Sequence, residues 1–172
     1  MTYRIRRSKQ SDLNSILELS DEFLKYTVEH GFDPDIENNT ELIEKTKLEL
    51  TECVLHPKRR EYRPIYVFDL DNKIIGYTVG MCVPRMPEAT LENIFISKEF
   101  RYGGRFYKQG RGVKLASKFL IHCKRAGVPK VFVEPYVLDH DAETFYLSSS
   151  MQFTESRNPS SNPLKKRLEK IL

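Results

Sequence analysis

The residues best suited to chemistry lie between Glu92 and Tyr146. Gly110-Arg111-Gly112 stands between a predicted strand, Leu91 to Ser97, and a predicted helix, from about Gly110 to Ala126. Backbone N–H groups at a glycine-rich helix N-terminus have no intrahelical partners, and with the positive end of the helix dipole they favour a bound phosphate. Glycine at 110 and 112 would let a ligand approach the backbone closely, where a Cβ would hold it away. The strand before the turn carries Glu92, a carboxylate that could take a proton if burial raised it towards neutrality. A strand-edge glutamate paired to a basic side chain is the alternative reading of the same residue. Tyr146 returns a phenol later in the chain, with a core aromatic as its alternative. The spacing thus offers a pyrophosphate site, a carboxylate and a tyrosine. A nucleotide P-loop is excluded, because Gly104 to Gly110 is followed by Arg-Gly where Lys-Ser or Lys-Thr is required.

These groups need elements to position them. Tyr3 to Arg7 alternates as a first strand, and Ser11-Asp12 reads as the start of a helix running to about Val28. Beyond a turn-rich loop from Gly31 to Asn39, Leu42, Ile43, Leu50, Cys53 and Val54 mark a second amphipathic helix ending before Pro57. Ile65 to Leu70 and Lys73 to Met81 flank Asp71-Asn72 as a hairpin. The helix after Gly110 should stop at Gly127 in a left-handed cap, with Pro129 beyond it. Lys130 to Glu134 reads as a buried strand, with pairing failing at Pro135. A short helix from Asp141 to Ser149 and a strand from Met151 to Glu155 follow. In the tail, Leu164, Leu168, Ile171 and Leu172 match helical spacing.

Composition narrows the class. The 172 residues are most simply one domain. Three separated cysteines, Cys53, Cys82 and Cys123, support neither a disulfide framework nor a zinc site. His30, His56, His122 and His140 lack metal-ligand spacing, so no metal is expected. The charged N-terminus argues against a signal peptide, and the longest apolar run, Ile74 to Val83, is too short to span a bilayer. A cytoplasmic protein is expected. The net charge of +4 is unevenly spread: residues 12 to 52 hold 12 acidic and 3 basic residues, the remainder 12 acidic and 25 basic. Either the first two helices have solvated acidic faces, or opposite sides of the molecule attract an anionic cofactor and a cationic acceptor.

The order strand, two helices, hairpin, strand, glycine turn, helix, strand, helix, strand resembles the GNAT superfamily of acyl-CoA-dependent N-acetyltransferases over nearly the whole chain. Residues Leu91 to Arg101 look like the family's fourth strand and the start of its cofactor motif, with Gly110 and Gly112 filling the glycine positions. The resemblance implies an α/β (α+β) fold, with a mixed, mostly antiparallel sheet of six to seven strands flanked by about four helices. Arg101 stands where the family arginine stands, but the loop after it is about six residues longer than usual. A register using Arg101 and Gly104 is the other reading.

By the same resemblance, acetyl-CoA is the co-substrate. The backbone of Ile94, Phe95 and Ile96 would pair with its pantetheine arm, and the N–H groups of Gln109, Gly110, Arg111, Gly112 and Val113 would hold its pyrophosphate. Arg101, Arg105, Lys108, Arg111 and Lys114 are candidates for the phosphates. Glu92 takes the place of the catalytic base and Tyr146 that of the acid that protonates the leaving thiolate. A backbone N–H near Ile94 would meet the oxyanion. Asp139 falls where the family usually has Asn, and Gln152-Phe153 replaces the family Gly-Phe two residues late. The last strand of the family would make the tail a strand, so strand and helix both stand. The implied acceptor is a primary amine, small or peptidyl, and the acidic helices suggest a cationic one such as a polyamine, an aminoglycoside-like amine or a lysine side chain. The alternatives are a non-catalytic acyl-CoA-binding module and, less in keeping with the modest charge, a nucleic-acid-binding protein using the basic aromatic loop 101–112. A homodimer is left open.

Overall fold

A computed structural model of the protein describes residues 2–34, 36, 39–101 and 110–172. The chain opens with strand β1 (Tyr3–Arg7), and a short 3-10 turn, Gln10–Asp12, leads into helix α1 (Leu13–Glu29). Helix α2 (Thr40–Leu55) starts at Asn39, whose side chain accepts the Leu42 N–H at 2.9 Å, and α3 (Pro57–Tyr62) follows directly. Strands β2 (Ile65–Leu70) and β3 (Lys73–Met81) form the expected hairpin. Its turn residues Asp71 and Asn72 have φ 48° and 70°, the mirror-image turn that matches strand twist. Strand β4 (Ala89–Ile96) runs into a one-turn helix, α4 (Lys98–Arg101). Then come α5 (Arg111–Arg125), β5 (Lys130–Val133), α6 (His140–Leu147), β6 (Thr154–Glu155) and β7 (Leu168–Ile171).

The seven strands form one sheet in the order β1-β2-β3-β4-β5-β7-β6, antiparallel except for the parallel β4–β5 pair. Helices cover both faces. On one, Ile16 and Leu19 of α1 and Leu50, Cys53 and Val54 of α2 pack against Val67, Tyr77, Val79 and Phe95. On the other, Leu115, Ala116, Phe119 and Cys123 of α5 cover Phe68, Ile75, Leu91, Ile96 and Val131. Helix α5 ends as expected, with Gly127 at φ 72° just beyond it.

The structure resolves the tail in favour of a strand. Leu168, fully buried, pairs with Val133 and Glu155, so the tail sits between β5 and β6 despite its helical spacing. Two helices, α3 and α4, are additional to the four expected. No helix among the described residues is long and apolar enough to cross a membrane.

Candidate active site

The site begins where β4 and β5 part. They pair only at Ala89 with Val131 and Thr90 with Phe132. Pro135 has no N–H to extend that ladder, and its carbonyl instead accepts the Lys166 N–H at 2.9 Å, drawing the chain away from β4. The rest of β4 stays paired to β3 alone, leaving its other edge open. Strand groups alternate in direction. Because the Ser97 N–H donates to Ile75 and the Thr78 hydroxyl to the Asn93 carbonyl, residues 93, 95 and 97 point to β3. Ile94 and Ile96 therefore present their N–H and C=O groups to the gap.

A bulge lies at the head of this gap. Val79 faces Asn93 and Gly80 faces Leu91, so Glu92 is the extra residue. Both bulge side chains turn to the α1–α2 face. Asn93 donates through Nδ2 to the Tyr77 hydroxyl at 3.2 Å. Glu92 meets Arg63, whose Nη2 lies 2.7 Å from Oε2, and Arg63 also reaches Glu49 at 2.8 Å. The Glu92 side chain is only 24% exposed although the residue as a whole is open, so its backbone is the accessible part. Burial raises the Glu92 carboxyl above its ordinary value, against the opposing pull of Arg63. The structure thus realises the paired-glutamate reading.

Gly110 adopts a left-handed conformation (φ 57°, ψ 38°) and starts α5, where an added Cβ would meet nothing closer than Val113 at 4.0 Å. Backbone conformation accounts for this glycine. Gly112 has a different cause: a Cβ there would lie 3.2 Å from the Phe145 ring, so the glycine lets α5 approach α6. Two side chains expected at phosphates are turned elsewhere. Arg111 is buried, donates to the Phe100 carbonyl at 3.2 Å and lies over the Phe68 and Phe100 rings, and burial lowers its pKa. Lys114 donates to the Tyr3 hydroxyl at 2.8 Å. What Arg111, Gly112 and Val113 retain for an anion is the N–H groups of a first helical turn. Arg105, Lys108 and Gln109 lie outside the described residues.

Asp139 caps α6 by accepting the Ala142 N–H at 2.9 Å, and burial raises its carboxyl. Seven residues on, Tyr146 is 6% exposed and packs edge-on against Phe145 and Phe153. Burial pushes its phenol well above the ordinary value. The late Phe153 still reaches it, through a turn in which Gln152 takes φ 57° and Phe153 N–H donates to the Tyr146 carbonyl.

Two adjoining clefts result. The smaller, about 190 Å³, brings together Ile94, Phe95, Ile96, Arg101, Gly112, Asp139 and Tyr146, and adds Phe23 and Tyr26 of α1. The larger, about 610 Å³, runs between α1 and the start of α6 and shares Tyr26, Phe95, Arg101, Asp139 and Asp141 with it. Glu92 lines neither. Sequence reasoning missed Tyr26, Phe23, Arg63 and Glu49. The aromatic positions at i and i+3 of α1 were the signal for the first two; nothing local marks the others. Of the acidic residues of α1 that suggested a cationic acceptor, Glu22 reaches the larger cleft, while Asp21 is paired with Lys47 at 2.7 Å.

This architecture is that of the GNAT acetyltransferases. The structure is similar to the PaiA N-acetyltransferase of Thermoplasma acidophilum in complex with coenzyme A, with a TM-score of 0.77 and 18% identity over 100% of both chains. It is similar also to a putative GNAT-family acetyltransferase of Desulfovibrio desulfuricans (TM-score 0.71, 14% identity, 99% of both chains). A third likeness is to the ribosomal-protein-alanine N-acetyltransferase of Brucella melitensis (TM-score 0.65, 15% identity, 98% of this chain and 99% of that one). At these identities the likeness establishes the fold. No family model matches the sequence, and no curated protein matches it.

Proposed function

We propose that the protein is an N-acetyltransferase that moves the acetyl group of acetyl-CoA to a primary amine, within a single domain. The observation that carries this reading is the open edge of Ile94 and Ile96, which shares one cleft with Gly112 and Tyr146. A strand edge with no partner strand among the described residues, its Ile96 carbonyl met only by the Arg101 side chain, suits an extended amide-bearing chain, and the left-handed Gly110 turn leaves the first N–H groups of α5 for a pyrophosphate. These features fit acetyl-CoA, which would supply an acyl thioester.

Each residue then has a task. The Ile94 N–H, facing the gap, would meet the negative charge that develops on the acyl oxygen. Tyr146 would hold a proton at its hydroxyl for the leaving sulfur, and its raised pKa keeps that proton in place at neutral pH. Glu92, which lines neither cleft, would receive the amine proton through water, at Oε1, because Oε2 accepts both bonds from Arg63. Glu22, Glu29 and Asp139 in the larger cleft would draw the amine in as its ammonium form.

The test is thermal unfolding with and without acetyl-CoA, followed by CoA release with a panel of amines. Acetyl-CoA at about 100 times Kd should add roughly 2.7 kcal/mol, a shift of several degrees. Gly110→Glu, which puts a carboxylate beside the turn, should abolish the shift. No shift and no CoA release from the unaltered protein would refute the proposal. A shift without release from any amine would favour a non-catalytic acyl-CoA-binding module.

A further inference from the structure

We infer that the acceptor carries a carboxylate beside its amine, as an α-amino acid does, and that Arg101 is the residue that reads it. The inference rests on the acetyltransferase reading of the two clefts and adds the acceptor's second charge.

The position of Arg101 is set by three contacts. Its Cζ lies 4.3 Å from the centre of the Tyr26 ring and 4.4 Å from that of Phe95. Its Nε donates to the Ile96 carbonyl at 3.0 Å. Phe95 packs with α1 and α2, on the face opposite α5. The guanidinium is therefore on the α1 side of β4, at the passage between the clefts, and not on the face that carries the Gly110 turn. This placement separates it from the phosphate role that its family position suggests.

Its chemistry points the same way. A guanidinium has five donors in a rigid fork. One is spent on Ile96, and among the described residues Arg101 forms no ion pair. The two rings hold the fork in a fixed plane, so little entropy is lost when a carboxylate docks on it through two parallel bonds. The larger cleft also holds charges of both signs, with Glu22, Glu29, Asp139 and Asp141 beside Lys25, Lys98 and Arg101, and Lys25 lies 3.8 Å from Glu29. A zwitterion finds a partner for each end there. Phe32 and Leu138 offer an apolar wall for a side chain.

The experiment compares each common α-amino acid with its own carboxamide, and with spermidine, in wild type and in Arg101→Gln, following both CoA release and calorimetric binding to protein saturated with CoA. At least one amino acid should show a KM about tenfold or more below that of its amide. Arg101→Gln should erase that ratio by raising KM for the acid far more than KM for its amide. Arg101→Lys, which keeps the charge and loses the fork, should restore only part of it. Amides and spermidine used as well as the acids would overturn the inference. So would weakened acetyl-CoA binding in Arg101→Gln with the acid-to-amide ratio intact, which would make the anion a phosphate. Failure of the acetyltransferase reading is separately visible: no amine would release CoA, while calorimetry would still show the acid preferred and the preference lost in Arg101→Gln.

Discussion

Replacing Arg63 with methionine isolates the charge arrangement beneath the bulge. The Arg63 guanidinium lies 2.8 Å from Glu49 and 2.7 Å from Glu92, and the three side chains are 20%, 37% and 24% exposed. Two unit charges about 4 Å apart at an effective dielectric of about 20 attract by roughly 4 kcal/mol before desolvation. Breaking a fully buried pair costs about 3–5 kcal/mol, and an exposed pair is worth about 0–1 kcal/mol. The partial exposure places Arg63→Met between them, at about 2–3 kcal/mol, or a fall in Tm of roughly 5–10 °C.

The pH dependence has a definite sign. Burial already raises the Glu92 carboxyl, and without Arg63 it would sit beside Glu49 with no cation, so it would rise further. A carboxyl with a folded pKa above its unfolded value binds more protons when folded. The stability linked to it is complete below the unfolded pKa and is lost as pH rises through the folded pKa. The Arg63→Met deficit should thus be largest near pH 8 and shrink towards about pH 5. Adding Glu92→Gln removes the stranded charge, so the double variant should be more stable at pH 8 than Arg63→Met alone, by about 1 kcal/mol or more. Urea denaturation followed by circular dichroism at both pH values measures all of this. An equal deficit at both, unrelieved by Glu92→Gln, would refute the reasoning.

Other outcomes follow from single positions. Tyr146→Phe should lower kcat about 10- to 100-fold with acetyl-CoA binding unchanged, and an unaltered kcat would remove Tyr146 as the acid. Gly110→Ala forces a Cβ residue to φ 57° without a clash, and should cost about 1–2 kcal/mol in chemical denaturation. Gly112→Ala should weaken acetyl-CoA binding more than Gly110→Ala does, because its Cβ meets Phe145 and pushes α5 from α6; calorimetric titration of both variants decides the order. Gly80→Ala would drive a Cβ into the Thr90 carbonyl and the Phe119 ring, and should cost about 3 kcal/mol or more.

How far the sequence was legible depended on the range of the forces involved. The Asp71-Asn72 hairpin, the start of α5 at Gly110 and its end at Gly127 were readable because the turn residues determine the backbone locally. The tail was ambiguous because Leu164, Leu168, Ile171 and Leu172 fit a helix, and pairing with β5 and β6 decided it. Helices α3 and α4, of 6 and 4 residues, are too short to show a period. In the site, Ile94, Phe95, Ile96, Gly112, Asp139 and Tyr146 line one cleft, and it was the family resemblance, not their spacing, that named them together. The surroundings of Glu92 were not legible, since Arg63 is 29 residues away and only the fold unites them.

One irregularity links the open backbone and the carboxylate. The register shift between Val79 and Gly80 makes Glu92 the extra residue, and it places Glu92 and Asn93 on the same face in violation of strand alternation. Glu92 is thereby delivered to Arg63, Asn93 to Tyr77, and the phase of Ile94 and Ile96 towards the gap is set. Gly80 accommodates the shift, because it passes so close to Thr90 and Phe119 that no side chain fits. A glycine with no chemistry of its own therefore governs both the candidate base and the candidate oxyanion donor. Gly80→Ala should accordingly disturb the two together, while Glu92→Gln should leave the Ile94 edge, and with it acetyl-CoA binding, as it was. A Glu92→Gln variant with weakened acetyl-CoA binding would show that the bulge depends on the carboxylate and not on the glycine.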